Sequence, residues 1–175
     1  MINGIIKKNG VTYGILTGTV SVLITTSIYL IDWNLFVSRW VGVLEISIHL
    51  IIGIVLLLKT KKELNGIFTF KEAFTTYFIN AVIGILIVVL YNIILFNLIN
   101  PSAQDTLTNI AIKDAVETMQ KFKSSQIDID KMIIKMRESY PYSVTSLLKG
   151  AVFSIVFKSI LGLIMAAFFK GKPQE

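Results

Sequence analysis

The stretch FTTYFINAVIGILIVVLYNIILFNL, residues 74–98, decides the fold class because it contains no charged residue. A helix needs roughly 20 predominantly apolar residues to cross the hydrocarbon core of a bilayer. Asn100 and Pro101 follow it, and proline cannot continue the backbone hydrogen bonds of a helix. Before it, Thr69 and Glu72 have the S/T-x-x-E spacing of a capping box, which marks a helix start. The stretch is therefore predicted to be a membrane-spanning helix.

Three other apolar stretches have the same character. Hydrophobic residues make up 54% of the 175-residue chain, charged residues make up only 16%, and the mean hydropathy is +0.71. Soluble domains contain about 25% charged residues. We therefore predict an all-α polytopic membrane protein, folded as a single membrane domain over residues 1–175. Its four transmembrane helices are expected at about 11–31, 40–58, 74–98 and 144–169.

The segment 102–140 differs from the rest because it has the composition of a soluble protein. Its six basic residues balance its six acidic residues. Apolar residues recur at helical spacing on both sides of a break near Ser124 and Ser125, which predicts an extramembrane amphipathic helical hairpin. The residues of the two apolar faces are Ile112, Val116, Met119 and Phe122, then Ile129, Met132, Ile133 and Met136. These faces can cover each other, lie on the outer leaflet, or bind an extracytoplasmic partner.

The positive charges predict the orientation in the membrane. Lys and Arg in short loops stay preferentially in the cytoplasm. Arg39 is the only cation in the short loop on one side of the predicted bundle, whereas many lysines lie on the other side. Those lysines are Lys7, Lys8, Lys59, Lys61, Lys62, Lys71, Lys170 and Lys172. Both termini are therefore expected in the cytoplasm, and the net charge of +6 is explained by topology without a nucleic-acid partner.

Five ionisable or polar side chains are predicted to lie inside the membrane. Glu45 and His49 are four residues apart, so they share a face of the second span. A charged group at the bilayer centre costs roughly 2.5 to 3.5 kcal/mol on insertion scales, so it usually finds a protein partner. Depth along the helices suggests that Glu45 pairs with Lys149 and that Lys158 meets Asn80. Alternatively, Lys149 extends towards the interface.

Small residues repeat every four positions in two of the spans. Gly10, Gly14 and Gly18 form such a row in the first span. The row in the fourth span comprises Gly150, Ser154, Lys158, Gly162 and Ala166. Such rows let helix backbones approach closely, either within one bundle or across a homo-oligomer seam, and packing within the bundle is the commoner use.

Motifs for enzymatic chemistry are missing from the sequence. The chain has no cysteine and one histidine. The spacing of Glu45 and His49 differs from the Glu-x-x-His spacing of di-metal helical bundles. Neither Ser47 nor Ser154 lies in a nucleophile elbow. We therefore predict no catalytic residue, no metal site and no cofactor, and we rank an enzyme third among the functions considered.

Three segments together resemble a known family. They are KNGVTYG (8–14), FTFKEAF (68–74) and YNIILFNLINP (91–101). They are similar to the uncharacterised bacterial four-span membrane proteins called DUF4199. The resemblance implies a four-span topology with a charged outer segment, and hence a multi-pass protein of the bacterial inner (cytoplasmic) membrane. It implies no activity and no catalytic residue.

Two functions remain open from the sequence. The favoured one is a non-enzymatic accessory or scaffold subunit of a membrane complex, with segment 102–140 as its contact surface. The alternative is a small transporter or a proton- or ion-conducting protein that uses Glu45, His49 and Lys158. Histidine suits such a path because imidazole titrates near neutral pH. The same three residues can instead stabilise the bundle or bind a polar group of a partner subunit, and this structural role is the commoner one. A pore formed by so thin a bundle would need an oligomer.

Overall fold

The computed structural model describes residues 2–171, so Lys172 of the predicted cytoplasmic lysines lies outside the described residues. The described chain is helical, with a short 3-10 turn after the first helix and a π turn after the third. The helices are α1 (Gly4–Ile31), α2 (Arg39–Glu63), α3 (Phe70–Ile93), α4 (Ala103–Lys121), α5 (Gln126–Ser139) and α6 (Val144–Phe169). The 3-10 turn comprises Trp33–Val37 and the π turn comprises Ile94–Ile99.

Four of these helices, α1, α2, α3 with its π turn, and α6, are long and apolar enough to cross a membrane. The predicted all-α membrane fold is therefore confirmed. Helix α1 begins before the predicted position because the side chain of Asn3 accepts a hydrogen bond from the backbone N–H of Ile5. The predicted capping box is also present, with Thr69 and Glu72 each accepting a backbone N–H of the other. Such caps stabilise a helix by about 1 kcal/mol.

Helix α3 lies at the centre of the bundle, and its most extensive contacts are with α1 and α6. The glycine row of α1 faces α3. A Cβ atom at Gly14 would lie 2.7 Å from Cβ of Ile83, and Gly10 and Gly18 meet α3 at similar distances. Since the row is occupied by another helix of the same chain, it serves packing within the bundle. Helix α2 packs on α1 and α3 and touches α6 only slightly.

Tyr77 of α3 fills the space between α2 and α6 in one half of the bundle. A Cβ atom at Gly53 of α2 would lie 2.8 Å from its ring, and a Cβ atom at Gly162 of α6 would lie 2.9 Å away. The side chain is only 3% exposed. The two glycines therefore let the ring of Tyr77 fill the gap between α2 and α6. This ring lies towards the end of the bundle where α1 begins and α2 ends, which we call the lysine end.

The opposite end of the bundle carries the 3-10 turn, α4 and α5, and we call it the α4–α5 end. Aromatic rings from four segments pack there, namely α1, the 3-10 turn, the π turn and the residues before α6, with the Phe96 and Tyr142 centroids 4.7 Å apart. Burial raises the pKa of Tyr142 to about 12. In the π turn, the N–H of Asn100 donates to the carbonyl of Leu95, and the side chain of Gln104 donates to the carbonyl of Phe96. The side chain of Gln104, at the start of α4, thus supplies a hydrogen bond to a backbone carbonyl of the widened turn.

Helix α4 packs on the 3-10 turn and on α5, which confirms two helices with a break between Lys121 and Gln126. Ile112 and Ile129, one from each predicted apolar face, are both buried. Part of these faces is therefore covered by protein. The position of this pair of helices outside a membrane remains a prediction.

Candidate functional site

A cavity of about 480 Å³ lies between α2 and α6, with α1 and α3 completing its wall. Small residues leave this space open, because Gly42, Gly150 and Ala151 present little side chain to it. No atom lies within 4 Å of a Cβ placed on Gly42 or Gly150. The cavity extends to Pro141 at the α4–α5 end and to Lys158 near the middle of α6. Its volume is within the range of small-molecule sites.

Four side chains in the cavity wall form a continuous series of polar contacts, which we call the polar chain. Nζ of Lys158 lies 3.4 Å from Nδ1 of His49. Nε2 of His49 lies 2.8 Å from Oγ of Ser21, and that hydroxyl donates to Oε1 of Glu45 over 3.0 Å. The polar chain therefore joins a cationic side chain to an anionic one through two neutral groups on different helices.

The chemistry of the end groups sets the direction of these hydrogen bonds. An ammonium group can only donate and a carboxylate can only accept. Nδ1 of His49 therefore accepts from Lys158, and the ring proton resides on Nε2. That Nε2–H donates to Ser21, whose own hydroxyl proton is directed to Glu45. Each member of the polar chain therefore has at least one partner, and the donors and acceptors follow one consistent order.

The polar chain lies deep in the bundle. Ser21 and His49 are each ten residues from the α4–α5 end of their helices, or about 15 Å at the helical rise of 1.5 Å per residue. The side chain of His49 is 15% exposed and that of Glu45 is 37% exposed. Charged groups at such depth are costly unless they are paired, and the polar chain supplies the pairing.

A smaller, mainly apolar pocket adjoins the cavity on the other side of His49 and Lys158. Its volume is about 200 Å³. Phe153 and Phe157 of α6 and Tyr77 of α3 contribute to its wall. His49 and Lys158 line both spaces, so they lie between the larger cavity and this smaller pocket. The sparse contact between α2 and α6 is what leaves both spaces open.

Further polar contacts run along α1 towards the lysine end. Thr17 donates to Oδ1 of Asn80 over 2.9 Å, and both side chains are buried. Asn9 donates to Thr60 and to Glu63 at the end of α2. The polar positions of α1 at Asn9, Thr17 and Ser21 follow the same four-residue spacing as its glycines. This spacing was the signal in the sequence that could have indicated Ser21 as a neighbour of Glu45.

The structure groups the predicted intramembrane residues differently from the pairs expected from depth. Lys149 is exposed and forms no ion pair with Glu45 within residues 2–171. Asn80 bonds to Thr17 of α1 instead of to Lys158. Both expected pairs were wrong, because depth alone does not define the direction in which a side chain points around its helix. Glu45, His49 and Lys158 do come together.

The small residues of α6 divide between two roles. Gly162 packs against Phe74 and Tyr77 of α3. In contrast, Gly150 and Ser154 line the cavity. The row was expected to be a packing surface along its whole length. Only its part nearest the lysine end meets another helix closely, and the remainder provides open volume.

Asn92 of α3 adds a polar atom to the cavity wall that the sequence did not single out. Its Oδ1 atom is buried and has no hydrogen-bond partner among the described residues. Buried polar atoms are rarely left unpaired in proteins. The residue lines the same cavity as Glu45 and His49. A donor group on a molecule inside the cavity would satisfy it.

The four apolar helices and the polar chain define a helical membrane protein with an open cavity between its helices. The chain belongs to the family described as Protein of unknown function (DUF4199), whose model matches residues 12–171. The resemblance noted in the sequence is thereby confirmed at the level of the family. No curated protein and no solved structure matches the chain.

Proposed function

We propose that this chain is a small membrane transporter that conducts protons through the polar chain of Lys158, His49, Ser21 and Glu45. The observation that supports the proposal is the unbroken donor order between a cation and an anion at the deep end of a cavity. Intramembrane ionisable residues that face a cavity commonly mark ion or proton pathways.

The proton step follows from the donor order. Lys158 gives a proton to Nδ1 of His49, while Nε2 of His49 passes its proton to Ser21. Ser21 passes its hydroxyl proton to Glu45, so the products are a neutral amine and a neutral carboxylic acid. The imidazole changes tautomer and the charge on His49 is neutral before and after. Glu45 is more exposed than His49, and it then releases its proton into the cavity.

Lys158, left as a neutral amine by this step, must take up a new proton from the lysine end, and that uptake requires movement of α2 relative to α6. Tyr77 fills the space between these helices on the side of the polar chain that faces the lysine end. The slight contact of α2 with α6 makes this pair of helices the one that can separate at least cost. In the orientation that the lysines favour, the cavity faces away from the cytoplasm of a bacterial inner membrane. Tyr77 is then the barrier on the cytoplasmic side.

Proton flux in liposomes tests this function. The purified chain is reconstituted with an internal pH-sensitive dye, and a potassium diffusion potential drives proton entry. The parent protein is expected to raise the flux above that of protein-free liposomes. Lys158→Met is expected to return the flux to that background, because the polar chain loses its proton donor.

Lys149→Met is the matched control, because it removes a lysine from the same helix at an exposed position away from the polar chain. It should conduct as the parent does. Circular dichroism and size-exclusion chromatography establish that each variant is folded. A parent without flux, or equal flux in both lysine variants, contradicts the proposal.

The second candidate is a non-enzymatic accessory subunit that binds a protein partner through segment 102–140. The observation in its favour is that α5 exposes Ile127 and Ile134, which are two turns apart and share a face. Crosslinking of a photoreactive residue at position 134 in native membranes tests it. The control carries the probe at position 135, which is exposed and points about 100° around the helix from Ile134. A protein crosslinked from position 134 but not from position 135 supports this candidate, whereas lipid adducts alone contradict it.

A further inference from the structure

The turn between α4 and α5 exposes two large apolar side chains. Phe122 is 81% exposed and Ile127 is 65% exposed. They flank a turn of only a few residues that also carries the exposed cations Lys121 and Lys123. An aromatic and an aliphatic residue beside lysines are typical of protein segments that rest on a membrane surface.

Helix α4 lies across the ends of the membrane-type helices. It starts just after the π turn that ends α3, and further along it Thr118 accepts a hydrogen bond from Nη2 of Arg39 over 2.9 Å. Arg39 is the first residue of α2. The side of α4 that carries Thr118 therefore faces the bundle and the adjoining membrane region.

Phe122 projects from this same side of α4. It follows Thr118 by four residues, and its N–H donates to the carbonyl of Thr118, so the helical turn continues to this position. Residues four apart lie on one face of a helix. The ring is thus directed towards the membrane region, yet no part of the described chain covers it.

Trp40 marks the level of the membrane surface beside this ring. It directly follows Arg39 and is 83% exposed. Tryptophan at the end of a membrane-spanning helix favours the headgroup region, where its ring is apolar and its N–H is hydrated. Phe122 and Trp40 are therefore two uncovered aromatic rings on helices that are joined by the hydrogen bond between Arg39 and Thr118.

We propose that the α4–α5 turn is a lipid-binding anchor that inserts Phe122 and Ile127 into the headgroup region of the nearest leaflet. The lysines of the turn would contact lipid phosphates. Lipid fits this surface better than a protein partner does, because the surface area of two side chains is far below the roughly 800 Å² that each partner buries in a stable protein interface. The anchor would hold α4 over the start of α2, at the mouth of the cavity.

Single-cysteine spin labelling tests the anchor without background, because the chain has no cysteine. Phe122→Cys and Ile127→Cys are labelled with a nitroxide and reconstituted into liposomes of phosphatidylcholine and phosphatidylglycerol. Gln120→Cys is the matched control, because Gln120 is exposed and lies two residues from Thr118, on the opposite face of α4.

The ratio of the collision rate with oxygen to the collision rate with a water-soluble nickel chelate should be severalfold higher for labels at 122 and 127 than for the label at 120. Equal nickel accessibility at all three positions would place the turn in water and overturn the proposal. Low accessibility to both reagents at 122 would show that protein covers the turn, which also overturns it. The result is independent of proton flux, since no residue of the polar chain is changed.

Discussion

Substitution of Gly14 by alanine should separate α1 from α3. The added Cβ would lie 2.7 Å from Cβ of Ile83 and 3.0 Å from the backbone oxygen of Asn80. Ordinary van der Waals contacts begin at 3.4 Å. A backbone oxygen cannot rotate away as a flexible side chain can, so the helices must move apart along their whole seam. Overpacking of this kind costs about 1 to 3 kcal/mol.

Gly150→Ala is the control that isolates this packing cost. A Cβ on Gly150 meets no atom within 4 Å, because the residue faces the open cavity. Both substitutions replace a glycine within a long helix, so both gain the helix propensity of alanine, about 1 kcal/mol in peptides. The difference between the two variants therefore measures the seam between α1 and α3.

The assay is reversible unfolding by titration with dodecyl sulfate in mixed micelles, followed by circular dichroism. We expect the free energy of unfolding of Gly14→Ala to fall about 1 to 3 kcal/mol below that of Gly150→Ala. Equal free energies for the two variants would refute the close contact of α1 with α3, and with it the position of Ser21 relative to α2.

Three further outcomes follow from the described contacts. Burial raises the pKa of Tyr142 to about 12, so the unfolded chain loses the phenol proton at a lower pH than the folded chain does. The parent should therefore lose about 2 to 3 kcal/mol of stability between pH 10 and 12. Denaturation of Tyr142→Phe should show a smaller loss over that range. Thr69→Ala should lower the unfolding free energy by about 1 kcal/mol. Replacing Glu72 by alanine as well should lower it further, because the backbone N–H of residue 69 then loses its acceptor. Nitrogen NMR of the single histidine should show His49 protonated at Nε2 in the parent, and the Nδ1 signal should shift in Lys158→Met.

The helices were predictable because their signals are local. An uncharged run such as residues 74–98 is too long and too apolar for another role, and the cap at Thr69 depends only on Glu72 three residues later. The break between α4 and α5 likewise follows from polar residues near Ser124. Each of these features is determined within a few turns of chain, so a single sequence suffices to predict it.

The polar chain was only partly predictable because it depends on how the helices rotate about their axes. The shared face of Glu45 and His49 follows from their spacing, but the choice of Lys158 over Lys149 depends on the rotation of α6. The only signal for Ser21 was its four-residue spacing from Thr17 and the glycines, and this signal is weak because a serine is readily accommodated in an apolar helix. Its role emerges only when the glycine row of α1 brings that helix against its neighbours.

The most direct test of the central claim compares the proton flux of Ser21→Ala with that of Ser154→Ala in the liposome assay. Both substitutions remove one hydroxyl from the cavity wall, but only Ser21 links His49 to Glu45. The polar chain predicts that Ser21→Ala loses the flux of the parent while Ser154→Ala keeps it. Full flux in folded Ser21→Ala would show that protons do not pass along this chain of hydrogen bonds.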